Sequence, residues 1–118
     1  MVVTQGAWYL SAAIGCTIVV GVMSLLPDAE TASSRATVEA DHVIAYLVLT
    51  CFWLLARREP GVYVLLGTIA YGLVLELLQI AVPGRTYEWL DVVANTIGAF
   101  AGWGALWLGR KLAGRDQE

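Results

Sequence analysis

The chain has 118 residues, of which 58% are hydrophobic and 14% charged, with a formal net charge of −3; its mean hydropathy is +0.69. A typical soluble domain carries roughly 25% charged residues, and one this small must cover a large surface with polar groups. The composition therefore excludes an ordinary soluble domain, a disordered chain and a disulfide scaffold, and points to a protein dissolved in lipid.

Four apolar runs follow in chain order. The first, at 5–26, contains no charged side chain and is long enough to cross a hydrocarbon core. A cleaved signal peptide would show a basic start and a shorter apolar stretch, so this run is read as the first membrane helix, ended by Pro27. A polar connector from Asp28 to Ala40 contains Ser33 and Ser34. The second helix is placed at 38–56, with Glu39 and Asp41 in its first turn, where the helix dipole favours negative charge. Arg57, Arg58, Glu59 and Pro60 close it, and Pro60 with Gly61 marks a tight turn. The third helix, at 62–82, carries Glu76 and Gln79 and is broken by Pro83 and Gly84. The fourth, at 91–109, spans about 27 Å at helical rise and leads into a basic tail. The runs are continuously apolar, without the alternation a membrane barrel requires. The predicted fold is an all-α bundle of four transmembrane helices forming one domain over 1–118.

Lys and Arg in the connectors set the orientation. Arg57, Arg58, Arg110, Lys111 and Arg115 lie on one side, and Arg35 and Arg85 on the other. That bias places both termini in the cytoplasm and the first and third connectors outside. The single Lys and the lack of a basic run before the tail speak against nucleic-acid binding. Cys16 and Cys51 lie inside apolar runs and read as buried, inert thiols; neither a cofactor nor a metal site is implied, with one His and no thiolate near it.

Given four spans, the polar residues converge on the outer side. Asp41 and His42 open helix 2, Gln79 and Glu76 sit near the outer end of helix 3, Arg85 lies in the connector, and Asp91 and Asn95 begin helix 4. Nothing comparable is read in the cytoplasmic half. On helix 4, Asp91, Asn95, Gly98, Gly102, Ala105 and Gly109 fall within about 80° of a helical wheel, and Gly98 and Gly102 form a GxxxG step that permits close helix approach. Helix 3 offers Thr68, Gly72, Glu76 and Gln79 on one stripe, and helix 2 offers His42, Tyr46, Leu49 and Trp53; the three stripes are expected to face one another. Helix 1 shows no sharp stripe. An ionised group at the middle of a span costs about 2.5–3.5 kcal/mol, so Glu76 requires protonation or a partner. Arg85 is the expected partner, forking between Glu76 and Asp91, with His42 and Asn95 as neighbours. Such a network either locks the bundle, recognises a ligand or performs catalysis. His42 is by itself either a satisfied structural residue or a proton-exchanging or phosphate-binding one. Trp8, Tyr9, Tyr87 and Trp89 read as an aromatic belt, with Tyr87 and Trp89 also placed to stack on a head group.

The segment ELLQIAVPGRTYEWLDVVANTIGAFAG, residues 76–102, resembles the VanZ-like family. The match is to E-x-x-Q, then P-G-R, then D-x-x-x-N-x-x-G-x-x-x-G, together with a His followed four residues later by an aromatic, here His42 and Tyr46. The family often carries Asp-Lys four and three residues before that His; this chain has Val38 and Glu39 there. The resemblance implies an integral protein of the bacterial cytoplasmic membrane, some of whose relatives are linked to resistance to glycopeptides such as teicoplanin. It carries over His42, Glu76, Gln79, Arg85, Asp91 and Asn95 as functional residues.

The expected function is binding of an anionic lipid or lipid-linked cell-wall precursor at the outer leaflet, with Arg85 and His42 on the phosphate and Glu76 and Asp91 fixing Arg85. The alternative is an intramembrane head-group hydrolase or transferase with His42 and Glu76 as acid and base, although no nucleophile motif supports it. A small multidrug exporter would carry its Glu in the first helix, where this chain has none. A structural subunit would use the GxxxG stripe against a second copy or a partner membrane protein.

Overall fold

The computed structural model describes residues 2–26, 35–57 and 61–115. It contains four helices, α1 (Val2–Leu25), α2 (Arg35–Ala56), α3 (Gly61–Gln79) and α4 (Trp89–Arg115). Each includes a stretch long and apolar enough to cross a membrane. The molecule measures 54 × 26 × 24 Å, longer than the roughly 40–45 Å of a bilayer with its head groups. The large apolar side chains on its outside, among them Ile18, Met23, Leu66, Ile97 and Trp107, belong there because lipid tails are as apolar as they are. This is a multi-pass membrane protein.

Cross-helix contacts give the topology. His42 meets Asn95 and the Leu54 carbonyl meets Arg110, so α2 and α4 run parallel. Tyr71 reaches Thr17 and Gln79 reaches Ser24, so α1 and α3 run parallel too. Tyr46 against Gly72, Thr50 against Thr68 and Leu54 against Gly61 make α2 and α3 antiparallel. Both α2 and α3 touch all other helices, whereas α1 and α4 stand apart on opposite corners. One end of the bundle carries the α3–α4 connector; the other carries the C-terminus of α2 and the start of α3.

The helix bounds differ from expectation in three places. α2 begins at Arg35, so Glu39 and Asp41 lie beyond its first turn, which holds no acid. α4 continues to Arg115, past the end of α2, which leaves Ala105 and Gly109 of its small-residue stripe exposed. α3 ends at Gln79. Its last amides tighten, with Ile80, Ala81 and Val82 bonding the carbonyls three residues back, the geometry of a 3₁₀ turn. The expected stop at Pro27, most of the first connector and the turn at Arg58, Glu59 and Pro60 lie outside the described residues.

Candidate functional site

Pro83 and Gly84 do more than interrupt α3. The Arg85 amide donates to the Val82 carbonyl at 3.1 Å, and Gly84 has φ of +81°. Pro second and a left-handed Gly third is the pattern of a type II turn. The turn reverses the chain directly after α3 and delivers Arg85 over the end of α1.

There Arg85 finds a different partner from the expected one. Its Nε donates to the Leu26 carbonyl at 3.0 Å and its Nη2 to the Met23 carbonyl at 3.5 Å. Gln79 Nε2 donates to the Ser24 carbonyl at 2.8 Å. The last carbonyls of a helix have no partner within it, so α3 and its connector cap α1 from outside. The expected Glu76–Arg85–Asp91 bridge is not among the contacts of the described residues; Arg85 instead meets carbonyls at the end of α1, where a helix leaves them without partners.

Glu76 is only 1% exposed, and its Oε2 accepts from the Glu88 amide at 3.4 Å. Its carboxylate is met by the backbone that leads into α4, with Asp91, His42 and Arg85 as electrostatic neighbours. His42 is held from α4: Nδ1 pairs with Asn95 Oδ1 at 2.9 Å, and Nε2 lies 3.6 Å from Asp91 Oδ2. An amide oxygen only accepts, so the Asn95 contact requires a proton on Nδ1. Asp91 lies in the first turn of α4, where the dipole favours it. Among the described residues no hydrogen bond joins His42 to Glu76, and no three acidic, His or Cys side chains gather around a point that could hold a metal ion.

The three predicted stripes face one another in part: His42, Tyr46, Gly72, Asn95, Gly98 and Gly102 meet, whereas Trp53 and Gln79 turn to α1 and Ala105 and Gly109 are exposed. Gly72 of α3 admits both Tyr46 and Asn95; a Cβ there would lie 3.0 Å from Tyr46 Cε1 and 3.1 Å from Asn95 Nδ2. Gly98 and Gly102 form the seam with α2. A Cβ on Gly98 would collide with the Val43 carbonyl oxygen, and one on Gly102 would sit 2.7 Å from the Leu47 carbonyl oxygen. The GxxxG step is therefore used inside the bundle. Tyr46 is 2% exposed, and its hydroxyl has no hydrogen-bond partner among the described residues.

A cleft of about 300 Å³ opens between α1, α2 and the connector. Val19, Val20 and Met23 form its apolar wall, and Ser24, Asp41, His42, Tyr46 and Arg85 its polar one. Of the predicted residues, His42, Tyr46 and Arg85 reach this cleft, whereas Glu76, Gln79, Asp91 and Asn95 stand behind it as support.

A second polar network lies deeper, in the half where none was expected. Trp53 Nε1 donates to Thr17 Oγ1 at 2.9 Å, and the Tyr71 hydroxyl to the Thr17 carbonyl at 2.6 Å. Thr50 donates to Thr68 Oγ1 at 3.2 Å, and Thr68 to the Leu65 carbonyl at 3.0 Å. Thr17, Thr50 and Tyr71 escape a search for charge because Thr and Tyr pass for apolar within a span, whereas Trp53 and Thr68 lie on the expected stripes. Trp8, Tyr87 and Trp89 are exposed, as an interfacial belt requires.

The sequence profile of the VanZ/LLP1 family matches residues 17–110. The chain belongs to the VanZ/LLP1 family. That stretch contains every residue of the cleft and its support, from α1 at Thr17 to the Arg110 contact with α2. No curated relative and no solved structure matches the chain.

Proposed function

We propose that this VanZ-type protein binds the anionic head group of a membrane lipid or lipid-linked cell-wall precursor in the cleft between α1, α2 and the α3–α4 connector. One observation carries the reading: the Arg85 guanidinium and the His42 imidazole border the same cleft beside an apolar wall, with the Asp41 carboxylate as the acid in its lining. Arg85 spends two N–H groups on α1, and a guanidinium has five, so its remaining donors are available to a phosphate. The apolar wall accommodates the first part of a lipid chain.

Binding fits the arrangement better than hydrolysis or group transfer does. A general acid or base must reach the proton it moves. Glu76 is buried against the Glu88 amide, and the two nitrogens of His42 face Asn95 and Asp91. In this reading His42 lends the cleft its polarity and holds α2 to α4.

The basic residues of the connectors and tail support an orientation with both termini in the cytoplasm of a bacterial inner membrane and the cleft in the outer leaflet. Occupancy of the cleft by a cell-wall precursor would then lower glycopeptide action, teicoplanin included. The test is the lipid retained by protein extracted in mild detergent and read by mass spectrometry. Arg85→Gln abolishes retention of anionic lipid while the variant still inserts, and Arg85→Lys restores part of it. Retention unchanged in Arg85→Gln refutes the proposal. Accessibility labelling of Arg85→Cys and Lys111→Cys on the same side of the bilayer refutes the orientation.

A further inference from the structure

A larger groove, about 400 Å³, lies toward the opposite end of the bundle between α1, α2 and α3. Leu49, Trp53, Val64, Gly67 and Tyr71 wall it, and Arg57 stands at its end just beyond α2. Trp53 and His42 are separated by about 16 Å along α2 at helical rise, so this groove is distinct from the cleft at the connector end.

Its chemistry is that of an amphiphile with one charged end. Trp53 and Tyr71 already donate to Thr17, and Thr68 to backbone carbonyls, so the walls offer little to a polar guest. Gly67 is exposed, and a Cβ there would meet nothing within 4 Å; the missing side chain leaves the groove open. Basic side chains lie at that end of the bundle, and among the described ones Arg57 is the one that lines the groove. Arg110 bonds the Leu54 carbonyl at 3.2 Å, which places it at the same end. Lys111 follows, its Nζ 4.5 Å above the Trp107 ring. Basic side chains beside a span attract anionic head groups.

We infer that this groove is a binding site for one acyl chain of an anionic phospholipid, whose phosphate rests on Arg57. The lipid wedges α1 against α2 and α3 where their contact is incomplete. The site is independent of the function proposed above and lies in the other leaflet.

The experiment uses the full chain in nanodiscs doped with phosphatidylglycerol bearing a photoactivatable acyl chain, followed by peptide mapping. Labelling is expected on the α3 peptide that spans Val64 and Gly67. Unlabelled phosphatidylglycerol competes it away, and phosphatidylcholine of the same chains competes about fivefold less well, the effect of one basic residue at an anionic surface. Gly67→Leu, whose Cβ meets nothing within 4 Å, fills the groove and removes the labelling; Arg57→Gln lowers it about fivefold, and Arg57→Lys restores it. Equal competition by the two lipids in the unmodified protein overturns the inference, as does labelling that survives Gly67→Leu. Loss of labelling in Gly67→Leu with no dependence on head-group charge overturns it too, since the groove would then take any chain.

Discussion

The α2–α4 seam and the attachment of α1 hold helices together by different means. At the seam, two glycines let the α2 backbone close in, and the Val43 and Leu47 carbonyl oxygens lie where a side chain would start. α1 buries little of itself: Ala13 is its only residue in the core among those described. It is fastened instead by hydrogen bonds from other helices to its own backbone, through Gln79, Arg85 and Tyr71, and by the Trp53 bond to the Thr17 hydroxyl. In lipid, apolar burial does not by itself favour one helix contact over another. Close approach and hydrogen bonds must do so; the seam combines the two, whereas α1 relies on hydrogen bonds. Both clefts border α1, the helix with clasps in place of a seam.

The sharpest way to separate the two is to insert a methyl group at the seam. Gly98→Ala forces backbone against backbone, and we expect a loss of about 3 kcal/mol or a failure to fold, read by unfolding in mixed micelles. A small effect there would mean that α2 and α4 are not set by close approach. Gln79→Leu removes a nearly fully buried clasp and leaves the Ser24 carbonyl without its donor; about 1–2 kcal/mol is expected, with α1 becoming more open to protease near its end. The His42–Asn95 pair belongs to the seam as well. A double-mutant cycle with His42→Ala and Asn95→Ala should give a coupling energy of about 1 kcal/mol, and none if the contact is incidental. Tyr71→Phe deletes one clasp and is expected to cost about 0.6 kcal/mol, the average for such bonds in membranes. Gly15→Ala is the contrast to Gly98→Ala: a Cβ there meets nothing within 4 Å, and stability should stay within about 0.5 kcal/mol of the parent. A loss comparable to that of Gly98→Ala would show that α1 has a seam of its own.

Much of the candidate site is readable from spacing. Asn95 and Gly98 of α4, Gly72 and Glu76 of α3 and His42 and Tyr46 of α2 lie on one face of their helices, and the structure brings those faces together. Arg85 shows where such reading ends. Its charge and the turn that carries it are visible, yet its partners are main-chain carbonyls of Met23 and Leu26. The same holds for Glu76, met by the Glu88 amide, and for Gln79 on Ser24. Every residue carries the same backbone groups, so sequence cannot mark the few left unpaired where a helix stops. Thr17 went unnoticed for a related reason: its role as a double acceptor appears only once α2 and α3 stand on either side of it.

The amino-acid order alone determined that this is a four-helix membrane protein with His42, Glu76, Gln79, Asp91 and Asn95 gathered at one end and most of its basic side chains at the other. Hydrophobic length and the cost of polar groups in hydrocarbon leave no other solution. Tertiary structure decided which of those side chains border a cleft and which stand behind it. It also decided that the arginine caps α1 instead of bridging two carboxylates. Those choices depend on where α1 and α3 end and on how closely glycine lets α2 approach α4, and both are fixed only when the four helices pack.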